Sequence, residues 1–245
     1  MQQTKHRPIE NPIQKSLGAV NVGTSVMAVK YRDGVMVAAD TSITYGSMCK
    51  VKDARRIVQL NDECVMACSG EMADAQDLEK QLRQKVEEDE IAQDGATFMR
   101  PLDYFNFVGR QNYQRRLKMN PLWCSTVIGG IDKETGEPFL GVSDLYGTKL
   151  QEDFVLTGLG NYFCQVIMQN RRRDDMSEEE ARQLILDCMK VMFMRDKKAH
   201  DKVQISTITK AGVTMHEPID CPTQWNQKFY VNQTNELYRP MRVMQ

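Results

Sequence analysis

The chain of 245 residues has a formal net charge of −1, with 41% hydrophobic and 27% charged residues, an ordinary balance for one large globular domain. This composition provides no basic surface for nucleic acid or an anionic membrane, and no apolar run approaches the roughly 20 residues that span a bilayer. We therefore expect neither nucleic acid nor a membrane as a partner. The polar N-terminal stretch lacks an apolar signal-peptide core, which predicts an intracellular protein.

Seven cysteines and three histidines are scattered along the chain. An odd number of cysteines without a secretory signal argues against a disulfide framework. Cys64 and Cys68 are close in sequence, but no histidine lies near them, so buried thiols are favoured over a zinc site. The sequence predicts no metal and no cofactor.

The first half of the chain predicts a flexible leader over residues 1–22, then strands, then two helices. Asp33-Gly34 between two apolar runs is a β-hairpin signal. The predicted strands cover residues 25–30, 35–39, 56–60 and 64–68. Apolar residues at helical spacing then predict one helix from Met72 to Val86 and a second that begins at Pro101 and runs towards Leu117.

The second half repeats this order. Strands are predicted at residues 126–131, 139–142 and 149–156. A short helix follows Gly160, and a longer one begins at Ser177, where the glutamate at position 180 completes a capping box. The last hairpin spans residues 203–216, and the apolar residues of 217–245 show no clear helical or strand periodicity.

Grouped strands alternating with grouped helices indicate an α+β fold, in which two packed sheets carry helices on their outer faces. The predicted organisation is a leader over residues 1–23, one domain over residues 24–216 and a C-terminal arm over residues 217–245.

Three short motifs occur in order: residues 23–40, which begin Gly23-Thr24 and end Ala38-Ala39-Asp40; Cys68-Ser69-Gly70 followed by Ala73-Asp74; and Arg195-Asp196. In order and spacing they resemble the beta subunits of the proteasome, over about residues 22–216. The resemblance implies a four-layer αββα sandwich of the N-terminal-nucleophile hydrolase type.

In active members of that family, cleavage between the glycine and the threonine exposes a threonine that carries both its hydroxyl and a free α-amine. The hydroxyl attacks a peptide carbonyl, and the amine, with a pKa of about 8, takes up the proton. The resemblance implies that Thr24 holds the nucleophile position and Asp40 that of the aspartate beside a catalytic lysine. It implies further that Gly70 is the oxyanion glycine and Asp196 the distal aspartate.

Three positions depart from the active pattern. The lysine position holds Arg56, and the two serine positions hold Leu159 and Ala199. A guanidinium cannot act as a neutral proton acceptor, and losing one member of such a unit costs on the order of 10³-fold in rate. We therefore expect no active catalytic residue, only remnants of the site, and expect Asp40 and Arg56 to form a salt bridge.

Within the family, Lys118-Met-Asn-Pro-Leu-Trp123 and Val127-Ile-Gly-Gly130 resemble the non-catalytic seventh beta-type class. The resemblance implies a structural subunit of the 20S core particle, in the cytoplasm and nucleus. Its partners would be alpha subunits and the other beta subunits of the same and the opposite ring. The C-terminal arm would reach the opposite ring through exposed aromatic anchors; a tail folded on its own domain is the alternative. The aromatic residues concerned are Trp225, Phe229, Tyr230 and Tyr238.

Two alternative hypotheses about the function remain. The first is an active threonine endopeptidase that uses Thr24 as its nucleophile. The second is a bacterial-type relative that forms its own ring, which would need a working site. Arg56, Leu159 and Ala199 argue against both.

Overall fold

The structure, a computed structural model, describes residues 18–92, 94 and 99–223. The helices are α1 (Met72–Ala92), α2 (Pro101–Leu117), α3 (Gly160–Phe163), α4 (Gln165–Arg171) and α5 (Glu178–Arg195). The strands are β1 (Asn21–Gly23), β2 (Val26–Tyr31), β3 (Gly34–Asp40), β4 (Ile43–Tyr45), β5 (Met48–Val51), β6 (Ile57–Asn61), β7 (Cys64–Glu71), β8 (Cys124–Ile131), β9 (Pro138–Ser143), β10 (Lys149–Gln151), β11 (Phe154–Leu156), β12 (Lys202–Thr209), β13 (Gly212–Met215) and β14 (Ile219–Asp220).

The strands form two antiparallel sheets. Over the described residues the first sheet has eight strands in the order β10-β9-β8-β7-β1-β4-β5, with β6 paired to β7. The second has six strands in the order β11-β2-β3-β12-β13, with β14 paired to β12. Because β1 belongs to the first sheet and β2 to the second, the chain crosses between the sheets at Thr24 and Ser25.

In the described part of the chain, three apolar clusters hold the sheets and helices together. Helices α1 and α2 pack on the outer face of the first sheet, and α4 and α5 pack on the outer face of the second. Between the sheets lies a third cluster that includes Val37, Val65, Val127 and Leu140. The predicted α+β fold, a four-layer αββα sandwich, is confirmed.

The apolar runs of β2 and β3 follow from this layering. Alternate residues of β2 face opposite layers: Val26 and Ala28 contact the other sheet, whereas Met27 and Val29 contact the helices. A strand buried on both faces has no polar face, so it is a continuous apolar run rather than an alternating one. Helix α5 begins as predicted, since Ser177 Oγ accepts from Glu180 N and Glu180 Oε2 accepts from Ser177 N.

Four predicted details were wrong or incomplete. The predicted strand over 149–156 is two strands, because β10 pairs with β9 in the first sheet and β11 pairs with β2 in the second. The predicted short helix after Gly160 is two helices, α3 and α4. The hairpin of β4 and β5 was not predicted. The end of the supposedly flexible leader is a strand, β1, which the pairing partners β4 and β7 stabilise.

The predicted C-terminal arm begins on the domain itself. Strand β14 pairs with β12, and Cys221 is 4% exposed in the core that faces α5. Most of the leader (1–17) and most of the arm (224–245), including its four aromatic residues, lie outside the described residues. The division of the chain at 23 and 216 therefore stays a prediction. No helix in the described part of the chain is both long and apolar enough to cross a membrane.

The layer between the sheets should dominate stability. Leu140 is fully buried in it, so Leu140→Ala should lower the free energy of unfolding by about 2–5 kcal/mol through lost contacts and a residual cavity. Leu117→Ala is the control, because Leu117 is 63% exposed and its loss should change stability by less than about 0.5 kcal/mol. Urea unfolding of the full chain measures both, and equal effects would contradict the layered core.

Candidate active site

Thr24 lies at the crossing between the two sheets and its side chain points at Asp40. Thr24 is 9% exposed, and its Oγ1 donates a hydrogen bond of 2.5 Å to Asp40 Oδ1. Asp40 ends β3, where it pairs with Val203 of β12. The sheet crossing and the end of β3 thus bring the predicted nucleophile and the predicted aspartate into contact.

Asp40 has four hydrogen-bond donors around its two carboxylate oxygens. Oδ1 accepts from Thr24 Oγ1 and from Arg56 Nη2, and Oδ2 accepts from Ser42 Oγ at 3.2 Å and from His200 N at 2.8 Å. A carboxylate has about four acceptor sites. The acceptor capacity of this fully buried carboxylate is therefore used.

Arg56 lies directly behind Thr24, with a side chain that is 0% exposed. It forms the expected salt bridge with Asp40. Its Nε donates to Asp40 O at 2.9 Å, and its Nη1 donates to Thr24 O at 2.7 Å and to Cys68 O at 3.4 Å. Nη2 also donates to Ser25 O at 3.2 Å. The guanidinium thus donates to backbone carbonyls, to one carboxylate and, at 3.4 Å, to Thr24 Oγ1.

Gln204 is a member of the site that sequence reasoning missed. It lies on β12, is 2% exposed, and its Oε1 accepts from Arg56 N at 3.0 Å and from Ile57 N at 3.1 Å. Its Nε2 donates to Ile57 O at 3.1 Å. These three bonds satisfy the backbone at the start of β6 as a neighbouring strand would, and they fix the backbone of Arg56. The sequence held no signal for this role, because β12 mixes polar and apolar residues and one more polar side chain does not stand out in it.

All but one of the remaining predicted positions line a cleft of about 590 Å³. Thr24, Gly70, Leu159 and Asp196 all line it, so the structure brings these four together. Ala199 instead packs against the core beneath α5. The carboxylate of Asp196 accepts from Lys198 N at 2.9 Å, a contact within its own turn at the end of α5.

Gly70 has a backbone that only glycine accommodates without strain. Its φ is +107°, and a Cβ there would lie 2.3 Å from Trp123 O. Gly70 pairs with Gly23 of β1. A Cβ on Gly23 would in turn lie 2.7 Å from Arg56 Nη1. The leader strand therefore runs directly over the arginine and past the predicted oxyanion glycine.

Two buried thiols lie near this network. A hydrogen bond with Cys124 lowers the pKa of Cys68, helped by Thr126 and Arg56 and opposed by burial. The same contact raises the pKa of Cys124, and burial raises it further. Cys64 and Cys68 are buried free thiols, as predicted. Among the described residues no group of three or more His, Cys, Asp or Glu side chains could hold a metal ion.

A sequence profile described as "Proteasome subunit" matches residues 20–208, which is most of the chain and contains every site residue above. The chain belongs to the proteasome subunit family. This proteasome subunit is 36% identical over 220 residues to a Xenopus laevis protein named proteasome subunit beta type-4, a match covering 89% of the chain and 90% of that relative.

Two further relatives are of the same kind. The proteasome subunit beta type-4 of Arabidopsis thaliana is 34% identical, covering 92% of this chain and 90% of its own length. A probable proteasome subunit beta type-7 of Schizosaccharomyces pombe is 30% identical, with 87% and 83% covered. The predicted place among beta-type subunits of the 20S core particle, with an N-terminal-nucleophile hydrolase fold, is confirmed.

The Arg56–Asp40 pair should behave as one unit. Arg56→Met leaves a buried carboxylate without its counter-charge and Asp40→Asn leaves a buried guanidinium without one, so each should destabilise the chain by about 3–5 kcal/mol. The double variant should cost clearly less than the sum, because neither charge remains. Urea unfolding of the two single variants and the double variant tests this. Additive effects would show that the two side chains are not coupled.

Proposed function

We propose that this beta-type subunit is a non-catalytic, structural member of the 20S core particle. It would help to assemble the beta ring and to shape the chamber in which ATP- and ubiquitin-dependent protein degradation takes place. One observation carries the proposal: a fully buried arginine, Arg56, occupies the place of the activating lysine and bonds both Asp40 and Thr24.

The protonation chemistry supports this proposal. A guanidinium stays charged and cannot take a proton from a hydroxyl. If the carboxylate of Asp40 took the proton of Thr24, it would lose its charge and leave the fully buried Arg56 without a counter-charge. Within the network around Thr24 neither charged side chain can act as a general base.

The surroundings of the Gly23–Thr24 bond support it as well. In this class of enzyme the base is the free α-amine of the threonine, and Thr24 N is an amide while β1 remains attached. Residues Asn21 to Gly23 form a strand paired on both sides. Leu159 and Ala199 carry no hydroxyl that could relay a proton during cleavage of this bond.

An active threonine endopeptidase is the second candidate. The hydrogen bond between Thr24 Oγ1 and Asp40 at the edge of a large cleft favours it. It requires cleavage at Gly23–Thr24 and a proton acceptor other than Arg56 and Asp40. The first candidate needs neither.

We infer that the partners of this subunit are the alpha subunits and the other beta subunits of both rings. We infer further that it is located in the cytoplasm and nucleus. Exposed apolar side chains on α3 and α4 support a role in assembly, because such patches mark protein–protein contacts. Tyr162 is 81% and Val166 63% exposed.

Thr24 should be inert in the assembled particle. A covalent threonine-directed inhibitor should add no mass to this subunit, and Thr24→Ala should leave every peptidase activity of the particle unchanged. Intact-mass and N-terminal analysis should show a chain that begins upstream of Thr24. An adduct on Thr24, or a chain that begins there, would support the endopeptidase instead.

The arm should act in assembly rather than in folding. Removal of residues 224–245 should impair the joining of two half-particles, measured by native gel electrophoresis, while the domain stays folded. A cut at 217 is a different test, because it also removes Ile219 and Cys221 from the core that faces α5. Normal joining by the chain that ends at 223 would refute this role.

A further inference from the structure

Glu71 is the last residue of β7 and lies beside the leader. It is 8% exposed. Its Oε2 accepts hydrogen bonds from two consecutive leader amides, that of Val20 and that of Asn21, the latter at 2.9 Å. Its Oε1 faces Ala73 N at 3.4 Å. A nearly buried carboxylate is thus committed mainly to the backbone of another segment.

Besides Glu71, β1 is held by pairing with the strands on both sides and by an exposed bond from Lys50 Nζ to Asn21 Oδ1 at 2.9 Å. Strand β1 has only three residues, and two of them pair with β7, Val22 with Glu71 and Gly23 with Gly70. On the other side it pairs with β4, where Thr44 Oγ1 donates to Val22 O at 3.2 Å. Val20, one residue before the strand, is 43% exposed. Glu71 therefore binds the chain at the point where it leaves the sheet.

The bond between Glu71 and the leader stabilises both partners. Hydrogen bonds from amides to a carboxylate are about twice as strong as those between neutral groups. If β1 left, Glu71 would exchange both leader amides for water, so the net strength of the two bonds would be lost. Release of the strand is therefore opposed by the lost sheet pairing and by the loss of these two charge-assisted hydrogen bonds.

We propose that Glu71 latches the leader into the groove between β4 and β7, and so keeps this groove closed to any other extended segment. Glu71 acts as a positioning residue: it holds residues 20–23 over Arg56 and contacts neither Thr24 nor Arg56 itself. The inference rests on the part of the proposed function in which the Gly23–Thr24 bond stays intact.

A purely local role for Glu71, at the start of α1, is the competing explanation. The contact with Ala73 N is a single long one, whereas two leader amides donate to one oxygen of Glu71. A local role would alter amide exchange in the first turn of α1 and leave the leader as it is. The two explanations therefore differ in where an effect appears.

Hydrogen–deuterium exchange of the assembled particle carrying Glu71→Ala or Glu71→Gln tests the proposal. Glu63→Gln is the matched control, because Glu63 precedes the opposite end of β7, is 7% exposed and pairs with Lys133 rather than with the leader. Intact mass of each subunit shows in the same sample whether the leader is still attached.

Glu71→Ala should speed exchange in the peptide that covers residues 18–24 by about tenfold or more. Glu71→Gln keeps one carbonyl oxygen as an acceptor and should give a smaller increase, which still decides the matter if the alanine variant does not assemble. Glu63→Gln should match the wild type in this peptide. An added protease should also trim the leader faster in the Glu71 variants.

Wild-type exchange of an attached leader in both Glu71 variants would overturn the latch and leave the proposed function standing. A change confined to the first turn of α1 would overturn it in the same way. A wild-type chain that begins at Thr24 would overturn the proposed function, and the latch with it.

Discussion

A guanidinium in the dry interior of a protein needs an acceptor for its N–H donors and a counter-charge close by, because an unpaired buried charge is strongly destabilising. Arg56 imposes this requirement on the whole region between the sheets. The guanidinium donates to the sheet crossing at Thr24 and Ser25, to Asp40 at the end of β3 and to Cys68 of β7. These three segments and that of Arg56 itself, all distant in sequence, must therefore meet in one arrangement.

The same requirement explains why the leader is part of the fold. Gly23 lies so close to the Arg56 guanidinium that a Cβ would be 2.7 Å from Nη1, so only a glycine lets β1 cross there. With that glycine in place, β1 fills the gap between β7 and β4 and makes the first sheet continuous. Arginine, glycine and leader strand are mutually dependent features of one site.

Residues that would perform proton transfer in an active relative have structural partners here. Asp40 ties Thr24, Arg56, Ser42 and the backbone of His200 together, and Gln204 fixes the backbone that presents the arginine. A network whose donors and acceptors are all engaged rigidifies its surroundings. Such a site suits a subunit whose surfaces must be held for assembly, which connects the chemistry of the interior to the proposed role in the ring.

The amino-acid sequence by itself determined the layers, most of the long elements and part of the site. The periodic spacing of apolar residues and the turn residues are local properties, so β2, β3, α1 and α5 could be predicted. The resemblance of the motifs to a known family identified Thr24, Asp40 and Arg56 as the side chains that meet. Only the tertiary structure decided which segments pair: the division of residues 149–156 between two sheets, the β4–β5 hairpin, and the inclusion of β1 in the first sheet. It also revealed Gln204 and Glu71, because a side chain that bonds a distant backbone leaves no periodic signal in its own segment. Short strands take their stability from neighbours that are remote in sequence, and no local pattern records those neighbours.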